Sequence, residues 1–316
     1  MSVCDLIQKT KKTAFSFELL PPLKGGSINQ VFETIDNLKE FNPLYINITS
    51  HHSENTYQED AKGIIRKVNI RRRPGSVAIS AVIQNKYGII AVPHMICKGF
   101  SKEETEYALI DLSFLGITDL LLLRGDSNKL DIDQRKMDSH EFATGLQDQV
   151  NTFNSGILLD GTKFAAPDVP FSYGMACYPE KHEESPNLDS EVYYTKMKVD
   201  NGASYLVTQM FFDNNKYFEF VDKCRKVGIT VPIIPGIKPI HRMNQLSILP
   251  KIFRTEIPEE LAIEIRKCKT DSEVKELGLE WCINQCKELV NKKVPSIHFY
   301  TVNAVDSIYR VAKEIY

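Results

Sequence analysis

The sequence predicts an α/β protein, a single (β/α)8 barrel of the TIM type spanning residues 1–316. Three observations carry this expectation. Strand-like and helical stretches alternate from end to end with no linker between them, and eight strand–helix units can be counted. Several of the strands are apolar throughout, as strands buried on both faces are. A doubly wound sheet is the alternative, but no Gly-x-Gly-x-x-Gly follows a strand, Gly174 and Gly202 stand alone, and there is no Walker loop.

The first strand is Phe15-Ser16-Phe17-Glu18-Leu19-Leu20, with Phe15, Phe17 and Leu19 on one face and Ser16, Glu18 and Leu20 on the other. Pro21-Pro22 ends it, because neither residue has a backbone N–H to donate. A helical stretch from about Ile28 to Phe41 leads to a second strand, Tyr45-Ile46-Asn47-Ile48-Thr49. Another helical region is expected before a third strand near Ile89 to Cys97. Ser101-Lys102-Glu103-Glu104 is a capping box, Ala108, Leu109, Leu112 and Leu115 follow at helical spacing, and Gly116 supplies the stop. The fourth strand, Asp119 to Leu123, ends in Arg124-Gly125-Asp126. Helical residues around 141–152 and a loop from Gly156 to Pro170 precede the fifth strand, Phe171 to Tyr178. A helix from about Leu188 closes at Gly202, before the sixth strand, Tyr205 to Gln209. Asp213-Asn214-Asn215 caps the next helix, which ends at Gly228. Val231 to Pro235 is the seventh strand, a longer helical region fills 241–293, Ser296 to Tyr300 is the eighth strand, and a last helix runs to Tyr316.

Composition narrows the function classes. Hydrophobic residues make up 42% and charged ones 25%, with a formal charge of −2, which leaves no electrostatic footprint for nucleic acid or an anionic membrane. The basic run Arg71-Arg72-Arg73 precedes Pro74-Gly75 and reads as a solvated turn. No apolar stretch approaches membrane-spanning length and Met1-Ser2-Val3-Cys4-Asp5 is not a signal peptide, so a cytoplasmic protein is expected. Seven cysteines without a Cys-x-x-Cys pair argue against a disulfide framework or structural zinc. Cys282 and Cys286 fall on a helix as small apolar groups, and nothing near His94-x-x-Cys97 completes a metal set.

Barrel chemistry is built from the carboxyl ends of strands. Read in order, those ends offer Glu18, Thr49, His94, Arg124-Gly125-Asp126, Tyr178-Pro179-Glu180, Gln209 and Tyr300. Each has a bland explanation, such as a helix cap for Asp126, a core histidine for His94 or an ion pair for Arg124 and Asp126. Their convergence on one mouth favours an active site.

The motifs that carry these residues resemble the methylenetetrahydrofolate reductase family. They are Phe15-Ser16-Phe17-Glu18 with Pro21-Pro22, Pro93-His94, Leu123-Arg124-Gly125-Asp126, Tyr178-Pro179-Glu180-x-His182, Thr208-Gln209-x-Phe211-Phe212-Asp213, Ile234-Pro235-Gly236-Ile237 and His298-Phe299-Tyr300-Thr301, in the family's order over residues 15–301. The resemblance implies a flavoprotein oxidoreductase of one-carbon metabolism, tetrahydrofolate interconversion and methionine biosynthesis. Its FAD would reduce 5,10-methylenetetrahydrofolate to 5-methyltetrahydrofolate in ping-pong fashion, with NADH or NADPH as electron donor.

The same resemblance assigns roles. Glu18 matches the proton donor that opens the folate's five-membered ring, and Asp126 the acid beside flavin and pterin that stabilises the resulting cation. Gln209 matches the amide that touches folate and nicotinamide in turn, with Thr49 also on the nicotinamide side. Gln245 and Tyr300 complete the folate contacts. Thr49, His52, His94, Arg124, Gly125, Asp126, Ala143, Tyr178, His182, Ser185, Glu191 and Lys198 fall at positions that hold FAD, with Arg124, His182 and Lys198 as partners for its pyrophosphate or ribityl oxygens. No metal is implied. The chain departs from the pattern at Ser50-His51-His52, Met197, Leu249 and Ala304, where aromatic or basic residues are common.

The longer relatives carry a regulatory domain that binds S-adenosylmethionine, and none is expected after Tyr316. A homo-oligomer is expected, as barrel faces often pair. The competing readings are a flavin- or folate-binding subunit that needs a partner for electron delivery, and a related FAD barrel such as a proline dehydrogenase. Retention of Glu18, Asp126 and Gln209 argues against the first, and the Tyr178-Pro179-Glu180 and Thr208-Gln209 signatures argue against the second.

Overall fold

A computed structural model of the protein describes residues 1–61, 63–125, 138–302 and 304–316. The first elements are α1 (Val3–Lys9), β1 (Ala14–Leu19), α2 (Asn29–Leu38), β2 (Tyr45–Ile48), β3 (Glu54–Glu59), β4 (Ile65–Ile70), α3 (Ser76–Tyr87) and β5 (Ile90–Ile96). Then come α4 (Lys102–Phe114), β6 (Asp119–Leu123), α5 (Ala143–Asn154), β7 (Ser172–Cys177), α6 (Leu188–Asp200) and β8 (Tyr205–Thr208). The rest is α7 (Asn214–Lys226), β9 (Ile233–Ile234), β10 (Gly236–Ile237), α8 (Gln245–Phe253), α9 (Glu259–Lys267), α10 (Asp271–Asn291), β11 (Ser296–Tyr300) and α11 (Val305–Ile315). Nine strands belong to one parallel sheet with helices between them, which is the α/β barrel class that the sequence predicts.

Three expectations are corrected. The region after β2 is not helical throughout: β3 and β4 pair antiparallel as a separate hairpin, and only α3 is helix. Their residues are largely exposed, so no buried face imposes a period on the sequence. The seventh strand is split into β9 and β10 at Pro235, which has no N–H for the ladder. The helical region 241–293 is three helices, and Arg254 in the left-handed region (φ 57°) ends the first of them. The short α1 is an addition, started by a reciprocal cap in which Ser2 Oγ accepts from Asp5 N and the Asp5 carboxylate accepts from Ser2 N.

The chain divides into two compact units. The first comprises Met1–Leu19, Glu33–Ile46 and Tyr173–Tyr316. There β1 pairs with β11, β11 with β10, β7 with β8 and β8 with β9, all parallel. Phe15 is its aromatic hub, with ring centroids of Phe17, Phe41, Phe299 and Tyr316 between 5.4 and 5.8 Å away. Helix α10 covers the turn after β8: Gln285 Nε2 donates to Phe211 O and Trp281 Nε1 to Phe212 O, both at 3.0 Å. The loop carbonyls of the Phe211-Phe212 motif are thereby satisfied although both residues are buried.

The second unit comprises Leu20–Phe32 and Asn47–Ser172. In it β5 pairs parallel with β6, His94 opposite Leu121 and Ile96 opposite Leu123. The α4 capping box forms as read, Ser101 N donating to Glu104 Oε2 at 2.8 Å and Glu104 N to Ser101 Oγ at 3.0 Å. Gly116 follows in the left-handed region (φ 66°). Among the described residues no helix is long and apolar enough to cross a membrane.

Candidate active site

In the first unit, register builds a row of polar groups at the carboxyl ends of three strands. Glu18 of β1 is level with Tyr300 of β11. Ile237 of β10 is level with Phe299, so the next residue, Lys238, brings the chain to the height of Tyr300 and Glu18. Burial lifts the Glu18 carboxyl to a pKa of about 7, with the Lys238 charge opposing the rise. Burial draws the Lys238 ammonium down to about 8, with the Glu18 charge opposing the fall. Lys238 Nζ donates to Val302 O at 2.9 Å, and Thr301 Oγ1 donates to the Glu18 carbonyl.

Thr208 ties the row together. Its Oγ1 accepts from Gly236 N at 2.9 Å and its carbonyl accepts from Tyr300 OH at 2.7 Å. Gly236 has no room for a side chain, since a Cβ there would lie 2.4 Å from Thr208 O and 2.6 Å from Tyr300 Cε2. Behind the row the His298 ring stacks on Tyr45 (centroids 5.9 Å, 7° between planes) and meets Ser16 Oγ at 3.0 Å. Gln209 follows β8 and its Oε1 accepts from Met210 N at 2.9 Å. The Gln245 side chain is buried, its Oε1 accepting from His241 N at 2.7 Å and Arg242 N at 3.1 Å, so it holds the turn into α8.

A second cluster in the same unit surrounds Tyr178. The His182 ring meets the Tyr178 ring edge-on at 4.8 Å, and Lys198 Nζ lies 5.8 Å from the Tyr178 centroid while donating to Ala176 O at 2.8 Å. The buried Glu191 accepts from His182 N at 3.1 Å and Ser185 Oγ at 2.9 Å through one carboxylate oxygen. Ser185 and Glu191 therefore shape the loop that carries His182. Glu180, on that loop, accepts from Glu256 N at 2.9 Å, and burial raises its pKa.

In the second unit, Thr49 Oγ1 lies 3.2 Å from His51 Nε2, and His52 Nδ1 is 2.8 Å from Ser53 O. His94 is buried in β5, and burial, helped by the nearby His51 charge, depresses its pKa to about 3. Arg124 Nε donates to Glu141 O at 3.2 Å and its guanidinium sits over the Phe142 ring at 4.8 Å. Phe142 is the N-cap of α5 and offers no side-chain cap, so a fixed cation stands at an uncapped helix N-terminus that begins with Ala143. Gly125 holds a left-handed conformation (φ 83°) against Ile96. Asp126 lies outside the described residues.

The structure thus brings Glu18 to Tyr300, Tyr178 to His182 and Lys198, and His182 to Ser185 and Glu191, while Arg124 meets Glu141 and Phe142 just before Ala143. Sequence reasoning missed Lys238, and it met Thr208 only as part of a family motif. The signal for Lys238 was present, a single charge inside the apolar run Ile237-Lys238-Pro239-Ile240.

Residues 3–316 match the pattern of the family described as methylenetetrahydrofolate reductase. Named relatives include a methylenetetrahydrofolate reductase (NADH) of Arabidopsis thaliana, 31% identical over 96% of this chain and 49% of its own length. A probable methylenetetrahydrofolate reductase (NADPH) of Caenorhabditis elegans is 29% identical over 96% of this chain and 42% of its own. A 5,10-methylenetetrahydrofolate reductase of Buchnera aphidicola (strain Bp) is 27% identical over 99% of this chain and 92% of its own. The chain therefore spans about half the length of the plant and nematode relatives it matches. Among solved structures, a Clostridium thermocellum protein that binds two copies of 5-methyl-5,6,7,8-tetrahydrofolic acid superposes with a TM-score of 0.62, at 15% identity over 99% of this chain and 98% of that one. The match over nearly every residue settles the affiliation: this chain belongs to the methylenetetrahydrofolate reductase family.

Proposed function

We propose that this protein reduces 5,10-methylenetetrahydrofolate to 5-methyltetrahydrofolate, with FAD bound and NADH or NADPH as the electron donor, the two substrates using the flavin in turn. The observation that carries the proposal is Glu18, a carboxyl at a strand end whose pKa is lifted to about 7 by burial. Such a group holds a proton at neutral pH and can release it within the same range.

The residues present fit the cofactor. In one unit, Arg124 and the uncapped start of α5 at Ala143 suit a phosphate. In the other, Tyr178 with His182 and Lys198 offers an aromatic face flanked by a cation. Bound FAD would supply the hydride that the methylene carbon receives.

Glu18 gives its proton to the departing ring nitrogen, which keeps the electron pair of the breaking carbon–nitrogen bond. The folate is left with an iminium carbon as hydride acceptor. Asp126 is assigned the stabilisation of that cation, and Gln209 and Tyr300 the orientation of the pterin. Gln245 Oε1 accepts from backbone N–H groups, so the folate contact assigned to Gln245 falls to its amide Nε2.

The test is Glu18→Gln, followed as two separate half-reactions. NADH or NADPH is expected to reduce the flavin at the wild-type rate, while reoxidation by folate falls by at least about 100-fold. Unchanged rates in both halves, or purified protein that takes up no FAD, would refute the proposal.

A further inference from the structure

We propose that Lys238 is a positioning residue for the proton-donating carboxyl, its ammonium setting the pH range over which Glu18 holds its proton. This deepens the reading of Glu18 as donor and rests on it.

Three observations carry the inference. Register places Lys238 at the height of Glu18 and Tyr300, on the segment that continues β10, in the row where β1, β11 and β10 end. The residue is only 8% exposed, and its chain neighbours Ile237, Pro239 and Ile240 are all buried. Its hydrogen bond to Val302 O fixes the ammonium there. Burying a cation against one neutral carbonyl is costly, and a methionine of similar length would fill the same space without that cost. What offsets the cost is an opposite charge, and the carboxylate that acts on Lys238 is that of Glu18.

Among the described residues, two further titratable groups of the same unit interact with the pair. Tyr300, from β11, has its phenol raised by burial and by the Glu18 charge, so it stays neutral. His241, three residues beyond Lys238, is lowered by burial and by the Lys238 charge and is also neutral near pH 7. Of these groups, Lys238 is the charge that answers Glu18. When the carboxyl O–H breaks and the proton passes to the folate nitrogen, the carboxylate left behind faces a fixed ammonium, which lowers the cost of the transfer. Solvent returns the proton before the next turnover.

The experiment compares Lys238→Met and Lys238→Arg with the wild-type protein, reading the Glu18 carboxyl by carbon-13 NMR with the signal assigned through its loss in E18Q. In K238M the midpoint is expected to rise by about one pH unit or more, and in K238R to return toward the wild-type value. The alkaline limb of the folate half-reaction should move with it, while flavin reduction by the nicotinamide keeps its pH profile. Should K238M not fold, Lys238→Gln removes the charge and keeps a donor for Val302 O. A folded K238M or K238Q in which Glu18 titrates at the wild-type midpoint overturns the role of Lys238. A folate half-reaction that survives E18Q instead overturns the donor reading, whatever the titration shows.

Discussion

Gly278→Ala sets two effects against each other inside α10, and the structure says which prevails. Alanine is better than glycine in a helix interior by about 1 kcal/mol. Gly278, however, faces the chain at Ile240: a Cβ would stand 2.0 Å from Ile240 O, 2.8 Å from its carbonyl carbon and 3.3 Å from its Cα. Those atoms are backbone, so no rotamer change relieves the contact. Either α10 or the 239–240 segment must retreat by about 1 Å in a region packed by Ile240, Leu249, Leu261, Ile265 and Val274. Overpacking of this kind costs typically 1–3 kcal/mol, and a rigid neighbour places it at the upper end. The net expectation is a loss of about 1–2 kcal/mol, read by differential scanning calorimetry as a fall in Tm of roughly 1.5–3 °C. A Tm at or above wild type would show that the helix gain prevails and that α10 does not meet Ile240 so closely.

Two further outcomes follow from buried ionisable groups. His94 is neutral in the folded protein down to a pKa of about 3 against an ordinary 6.5, so its contribution is complete above 6.5 and is lost as the pH falls toward 3. Urea unfolding of His94→Asn at a series of pH values should lack this part of the acid slope, up to about 1.4 kcal/mol per pH unit, and equal slopes would contradict the burial argument. Glu191→Ala strips the acceptor from His182 N and Ser185 Oγ, a change expected to cost about 1–3 kcal/mol and to weaken FAD retention in absorption spectra of the purified protein. Unaltered stability and flavin content together would remove Glu191 from the loop's support.

The strands that bear the site were legible because their apolar runs are unbroken. The reading of 119–123 and 296–300 coincides with β6 and β11, and Pro21-Pro22 marks the end of β1. Less legible were elements without a buried face. Of the seven residues in α1 only Val3 and Ile7 are buried, although Ser2 and Asp5 announce its cap. The β3–β4 hairpin carries exposed residues such as Tyr57 and Ile65, which satisfy no period. In the candidate site, Glu18 and Tyr178 were singled out from strand ends and family motifs. Lys238 shows in the sequence as a lone charge in an apolar run, but only register, which puts it level with Glu18, gives that charge a partner. The duties of Ser185 and Glu191 lay hidden because an ion and a hydroxyl six residues apart reveal a shared hydrogen bond only once the loop is folded.

The bond from Tyr300 OH to the Thr208 carbonyl decides what kind of ligand atom the phenol can greet. Its hydrogen is committed to backbone, and burial keeps that hydrogen in place by raising the pKa well above the usual phenol range. Toward a guest the oxygen has lone pairs alone to offer. In the proposed site Tyr300 would therefore favour an N–H donor over a carbonyl, a polarity filter written by β8.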